Sequence, residues 1–168
     1  MRNRRKSTWK GLVAGLTGGL VAAYAMNRFQ AVGSKIVQNR NGGGCKQLGE
    51  GENATGKVAQ RVSEGIFRHR LSNNQQKWAG PVVHYTYGAL VGGLYGALAE
   101  RSRPVRALAG VPYGAALWFL GDEVAVPMLR LSKGPKQYPA STHALAVASH
   151  AVYATTTDLV RRLVRRAI

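Results

Sequence analysis

One cysteine, Cys45, stands in 168 residues, and seven acidic residues face 24 lysines and arginines. A single thiol excludes an internal disulfide framework and any Cys-rich zinc module. The shortage of carboxylates leaves a formal net charge of +17. Enzymatic motifs are missing as well. There is no Gly-x-x-x-x-Gly-Lys-Ser/Thr loop, no Gly-x-Ser-x-Gly elbow and no His-Glu-x-x-His. The spacings His-x-x-His, His-x-x-x-His and Glu-x-x-His are absent too, so neither a metal site nor a cofactor is expected. The chain reads as a non-enzyme. Low-complexity disorder is excluded, because only 18% of residues are charged and 45% are apolar.

What is present is laid out in blocks. Residues 11–27, 78–99, 107–121 and 137–157 contain no Asp, Glu, Lys or Arg. A nucleic-acid module intersperses basic residues along its elements to meet phosphates, whereas block segregation suits a bilayer. An apolar helix of ~20 residues crosses a hydrocarbon core ~30 Å thick. The expected fold is therefore all-α, an integral membrane bundle of four transmembrane helices forming a single membrane domain over 1–168. Its spans fall near 9–27, 78–99, 106–128 and 138–158. The competing reading is four buried helices of a soluble bundle, which usually keep a charged outer stripe. The polar connector 28–77 holds a glycine-rich loop around Cys45. It also holds a short amphipathic helix over 57–71, with Val58, Val62 and Ile66 at four-residue spacing, lying on a membrane surface or packing on the bundle.

Glycine fits the same picture. In lipid, small residues let helix backbones approach closely. Gly11-x-x-x-Gly15-x-x-x-Gly19 and Gly88-x-x-x-Gly92-x-x-x-Gly96 make two such ridges for helix packing. Basic residues crowd before the first window (Arg2, Arg4, Arg5, Lys6, Lys10), after the second (Arg101, Arg103, Arg106) and after the last (Arg161, Arg162, Arg165, Arg166). The positive-inside rule then puts both termini in the cytoplasm. Glu100, Asp158, Arg161 and Arg162 mark the interface, where the tail meets anionic lipid headgroups. Asp158 can pair with Arg161 and Arg162 at i+3 and i+4 along the helix, the last span being expected to end near Thr157.

Ionisable residues inside a bilayer are costly and are read as functional by default. His84 and Tyr87 in the second window, Asp122 and Glu123 closing the third, and His143 and His150 in the fourth define a polar membrane centre. Histidine titrates near neutrality and carboxylates are tuned by desolvation, so the centre suits proton relay or pH sensing. The plain alternative is that each imidazole hydrogen-bonds a neighbour and only fixes packing.

The order of features over 81–162 resembles the YagU-like family of bacterial inner-membrane proteins. The residues that carry the likeness are the His84 helix running through Gly93 and Tyr95 to Glu100, the close of the third span at Pro127-Met128-Leu129, and Ser149-His150-Ala151-Val152 with Asp158-Leu159-Val160-Arg161-Arg162. The resemblance implies a multi-pass inner-membrane location and four helices but no reaction, and it carries over His84, Glu100, His150 and Asp158. Three functions are open. The first is proton or small-solute movement, or pH sensing, through the polar centre. The second is a structural or assembly module packed by its Gly-x-x-x-Gly ridges, as a homo-oligomer or within a larger membrane complex. The third is a soluble basic nucleic-acid-binding protein. In the first two the partner is the lipid bilayer, with no nucleic acid.

Overall fold

The computed structural model describes residues 7–40, 50–131 and 138–168. The basic run Arg2–Lys6 and Cys45 with its glycine-rich loop lie outside them. Five helices are described. α1 (Thr8–Arg40) is continuous. α2 (Glu50–Val62) runs on into a π-helical turn, Ser63–Phe67, and stops where Arg68 adopts a left-handed φ of 48°. α3 (Asn73–Arg101) opens on a capping box. The Gln75 N–H donates to Ser72 Oγ at 3.4 Å, and the Ser72 N–H donates to Gln75 Oε1 at 2.8 Å. Two donors that the first turn leaves free are satisfied in this way. A 3₁₀ segment, Pro104–Gly110, leads into α4 (Val111–Leu117), which continues as a π-helical stretch, Trp118–Ala125, and a last turn, Val126–Met128. α5 (Ala140–Ala167) completes the fold. No strand occurs among the described residues.

α1 lies against both α3 and α5, α2 packs on α3, and α4 packs on α5. Glycine makes these approaches possible. A Cβ added at Gly92 would lie 2.6 Å from the Gly15 carbonyl oxygen, and one at Gly15 would come closer than 3.0 Å to that of Gly92. Gly11 meets Gly96, and Gly19 meets Gly88, in the same reciprocal way. The three pairs run in opposite senses along the two helices, so α1 and α3 are antiparallel and in backbone contact. A second face of α1 uses Gly18 against the Thr157 carbonyl, where a Cβ would fall at 2.7 Å. Gly114 brings α4 just as close to the His150 carbonyl, at 2.6 Å. The buried residues are correspondingly small. Ala14, Ala22, Ala23, Ala59, Ala99 and Ala154 are buried, with Met26, Tyr95, Leu131 and Tyr153 as the larger apolar members.

The expectation of four transmembrane helices is overturned. Among the described residues no helix is long and apolar enough to cross a membrane. The physical reason is that freedom from charge is not hydrophobicity. The charge-free part of α5 carries Ser141, Thr142, His143, Ser149, His150, Thr155, Thr156 and Thr157, and α1 and α3 spend their helix-facing positions on glycine. The third window is not one helix. Ala107 is extended (ψ 144°), and Leu108, Ala109 and Gly110 are left-handed at φ 46°, 54° and 83°. Regular helix resumes only at Val111, with Pro112 in its first turn. The stretches 9–27 and 78–99 are parts of longer helices, 138–158 becomes helical only at Ala140, and α5 runs on to Ala167.

The amphipathic helix expected over 57–71 is displaced as well. Helix begins at Glu50 and has ended by Arg68. It packs on the bundle, with Ala59 buried. Lys57 Nζ donates to the Leu131 carbonyl at 2.7 Å and an Arg61 guanidinium N–H to that of Leu129 at 2.5 Å.

Two glycine-to-alanine changes should therefore differ in sign. Gly92→Ala drives a methyl group into the α1 backbone and should destabilise by about 1–3 kcal/mol, as overpacking does. At Gly56, inside α2, an added Cβ meets nothing within 4 Å. Gly56→Ala should stabilise by about 0.5–1 kcal/mol through helix propensity alone. Thermal unfolding followed by circular dichroism measures both, and equal shifts for the two variants would refute the packing account.

Candidate functional site

Two clusters of ionisable groups form. The first ties the ends of three helices. Glu100, in the last turn of α3, receives two parallel hydrogen bonds from Arg165 of α5, Nε to Oε1 at 2.8 Å and Nη2 to Oε2 at 2.9 Å. The Ser7 N–H, just ahead of α1, also donates to Oε2 at 3.4 Å. Asp158 accepts from Arg161 Nη2 at 2.9 Å and lies 2.5 Å from Arg162 Nη2. Arg161 joins the two carboxylates, its other terminal nitrogen standing 3.5 Å from Glu100 Oε1. The side chains of Asp158 and Arg161 are only 1% and 6% exposed. The Tyr95 ring lies under the Arg161 guanidinium at 5.8 Å. Its hydroxyl sits beside Asp158, close enough to act on that carboxylate yet outside hydrogen-bond geometry.

Ionisation follows from this geometry. The Arg165 hydrogen bonds hold the Glu100 carboxyl below its usual value, against the opposing effect of burial, and Glu100 in turn raises Arg165. Burial alone would push Asp158 up, but hydrogen bonds from Arg161 and Arg162, with Tyr95 beside them, leave it lowered. Both carboxylates are anions at neutral pH. A buried pair of this kind repays its desolvation only through such multiple hydrogen bonds.

The second cluster joins the π-helical stretch after α4 to α5. Glu123 Oε1 lies 2.6 Å from His143 Nδ1. Asp122 Oδ2 lies 3.9 Å from His150 Nδ1, which also contacts the Ala146 carbonyl at 2.9 Å. Burial raises the Asp122 carboxyl, His150 opposes that rise and Glu123 adds to it. Because 47% of the Asp122 side chain stays exposed, solvent limits the effect. Three phenols lie between α3 and the elements that carry the cluster, Tyr87 being the one beside Asp122. Tyr113 and Tyr153 donate to the α3 carbonyls of Val91 (2.7 Å) and Gly88 (2.5 Å), and the Tyr87 hydroxyl faces Gly121. Burial raises all three above the usual phenol value, with Asp122 adding to the rise at Tyr87, so they remain neutral donors at physiological pH.

Of the polar residues singled out from the sequence, Tyr87, Asp122, Glu123, His143 and His150 thus converge. His84 stands one turn before Tyr87 on α3, with its ring edge to that of Tyr85 at 5.8 Å. Gly15, Gly19, Gly88, Gly92 and Gly96 meet in the α1–α3 seam. Glu100, Asp158, Arg161 and Arg162 form one network. Sequence reasoning missed Arg165 as the partner of Glu100. The available signal was an acidic residue at a helix C-terminus, where the dipole disfavours it unless a cation is near. Among the described residues no group of three or more His, Cys, Asp or Glu is placed to hold a metal ion.

Residues 59–159 match the family described as "Protein of unknown function (DUF1440)". That is more than half of the chain, and the protein belongs to this family. No curated protein and no solved structure matches it. The matched region includes Glu100, Asp158 and the whole imidazole–carboxylate cluster, while α1 precedes it.

Removing one partner of the buried network should be costly. Asp158→Asn leaves Arg161 buried without its carboxylate and should destabilise by about 3–5 kcal/mol. Adding Arg161→Met should recover part of that loss. Both are read by urea unfolding, and a single variant as stable as wild type would refute the assignment. Because Glu100 and Asp158 are depressed on folding, their contribution is present above the ordinary values of 4.5 and 3.8. It should be lost as pH falls through the lower folded values, giving an acid limb to the stability profile.

Proposed function

We propose that this family member is a non-enzymatic, membrane-associated helical module whose conformation follows pH through the imidazole–carboxylate cluster between α4 and α5. The observation that carries the reading is the pair of contacts Glu123–His143 at 2.6 Å and Asp122–His150 at 3.9 Å. Histidine is the side chain whose charge ordinarily changes between pH 5 and 8. Each imidazole here faces a carboxylate, so a proton on the ring would turn an ion–dipole contact into an ion pair and strengthen the tie between the π-helical stretch and α5. The other groups facing the cluster are the Tyr87 phenol, beside Asp122, and Tyr138, whose ring lies 6.4 Å from that of His143, with Tyr113 and Tyr153 behind Tyr87. Tyr87, Tyr113 and Tyr153, raised above the usual phenol value, carry no charge in this range.

Membrane association is supported by apolar side chains left exposed on neighbouring helices. Leu90, Leu94 and Leu98 form a row along α3, and Leu20, Val21 and Tyr24 lie on α1. The two sets meet at an apolar groove lined by Leu20, Trp78, Val82, Tyr85 and Leu90. Exposed apolar area of this kind marks an interaction face, and the net charge of +17 favours an anionic lipid surface as the partner. The resemblance to YagU-like inner-membrane proteins agrees with this location. Self-association through the Gly-x-x-x-Gly ridges draws no support, because the two ridges pack against each other within the chain.

The test compares wild type with a His143→Gln/His150→Gln variant at pH 5.5 and pH 8. The melting-temperature advantage of wild type should be larger at pH 5.5 by about 3 °C, equivalent to ~1 kcal/mol for a chain of this size. An advantage that does not change with pH would remove the pH-responsive reading. Co-flotation with phosphatidylglycerol vesicles checks the membrane part, and protein left at the bottom of the gradient would remove that.

A further inference from the structure

We propose that the turn joining α3 to α4 is a binding site for a phosphate-bearing anion, held by Arg101, Arg103 and Arg106. The three arginines, with Ser102 and Pro104, line an open cleft of about 570 Å³. Its backbone is fixed at both sides. The Ser102 N–H closes α3 on the Leu98 carbonyl at 2.8 Å, Pro104 starts the 3₁₀ segment, and the Arg106 N–H donates to the Arg103 carbonyl at 3.1 Å. Three guanidinium groups are thereby carried by one short, ordered turn.

What marks them out is the absence of an internal counter-charge. The five acidic residues whose side chains are described, Glu64, Glu100, Asp122, Glu123 and Asp158, each already face a cation or an imidazole. Glu100, adjacent to Arg101 in sequence, is saturated by Arg165 and Arg161. Among the described residues, Arg101, Arg103 and Arg106 make no side-chain hydrogen bond or ion pair, and all three are exposed. The neighbouring network adds three further guanidinium groups against two carboxylates, so nothing nearby neutralises the turn. Guanidinium forks match phosphate oxygens in bidentate geometry, and a single carboxylate would leave most of this positive charge unanswered. A phosphate dianion or a diphosphate meets the requirement. The source can be a phospholipid headgroup or a soluble phosphate, and exposed Leu108 (78%) beside the turn offers an apolar rim for an acyl chain. The inference stands on this cleft alone and does not depend on the histidine cluster.

The experiment measures binding of the full chain to inorganic pyrophosphate by calorimetry and to phosphatidate vesicles by co-sedimentation, both at physiological salt. Arg101→Gln/Arg103→Gln/Arg106→Gln is compared with Lys35→Gln/Arg68→Gln/Lys77→Gln. The second variant removes the same charge from exposed positions elsewhere. The cleft variant should weaken binding at least about tenfold while the control changes it less than about twofold, a difference that salt-screened net charge cannot produce. Arg103→Gln alone should give a partial loss, which guards against misfolding of the triple variant. Binding of vesicles alone assigns the phosphate to a lipid, and binding of pyrophosphate that vesicles do not displace assigns it to a soluble ligand. No binding of either probe by wild type, or equal losses in the two triple variants, would overturn the proposal.

Discussion

Direct backbone contact through glycine is the constraint from which the rest of this structure follows. With Gly11, Gly15 and Gly19 set against Gly96, Gly92 and Gly88, the register of α1 on α3 has little room to slide. A one-residue shift would bring side chains where no Cβ fits. That register decides what meets at the end of the bundle. It places the start of α1, with the Ser7 N–H, over the Glu100 carboxylate in the last turn of α3. Gly18 then lets α5 approach the same helix near Thr157, so Asp158, Arg161 and Arg165 arrive at Glu100 from the other side. The buried ion network is a consequence of helix spacing as much as of charge.

A core made of alanine and glycine buries little apolar area per residue, and burial is worth only ~25 cal/mol per Å². Close approach partly compensates, because interhelical dispersion contacts are individually ~0.1–0.2 kcal/mol and numerous when backbones touch. Directed polar contacts add specificity where side chains are larger. Tyr113 and Tyr153 each donate to an α3 carbonyl, and Lys57 and Arg61 bind the carbonyls of the 129–131 turn. Large apolar side chains, by contrast, remain outside, as Leu90, Leu94 and Leu98 show. The molecule holds itself together with small residues, a few buried larger ones such as Tyr95 and Tyr153, and polar ties, and it leaves the leucines of α3 at its surface.

Much of this is legible in the sequence, and the failures have two physical origins. The four charge-free windows lie on helix-rich segments because a charge is hard to bury anywhere, whichever medium surrounds the helix. The Gly-x-x-x-Gly spacing predicts close packing on the same ground. The error was to equate missing charge with lipid-like hydrophobicity, although Ser, Thr and His populate α5 throughout. The break at Leu108–Gly110 was not readable, since Leu and Ala at positive φ cost energy that only tertiary context can offset. For the same reason Asp158, Arg161 and Arg162 look like exposed i+3 and i+4 neighbours in sequence, whereas folding buries the first two and adds Glu100 and Arg165. The convergence of Asp122 and Glu123 with His143 and His150 was foreseeable only as a list of residues, not as a pairing.

That pairing imposes its own geometry. Asp122 and Glu123 are consecutive, yet their partners on α5 are seven residues apart, ~10 Å along the axis at 1.5 Å per residue. The two carboxylates must therefore reach in opposite directions along α5 from one point on the π-helical stretch. A slide of that stretch toward His150 shortens the 3.9 Å contact and lengthens the 2.6 Å contact at His143, and the reverse slide does the opposite. Both pairs can tighten together only if the stretch moves straight onto α5. The π-helical winding, with more residues per turn than a regular helix, sits where that adjustment is needed. Gly114 holds the preceding turn of α4 against the His150 carbonyl, and that close contact restrains any slide of the segment along α5.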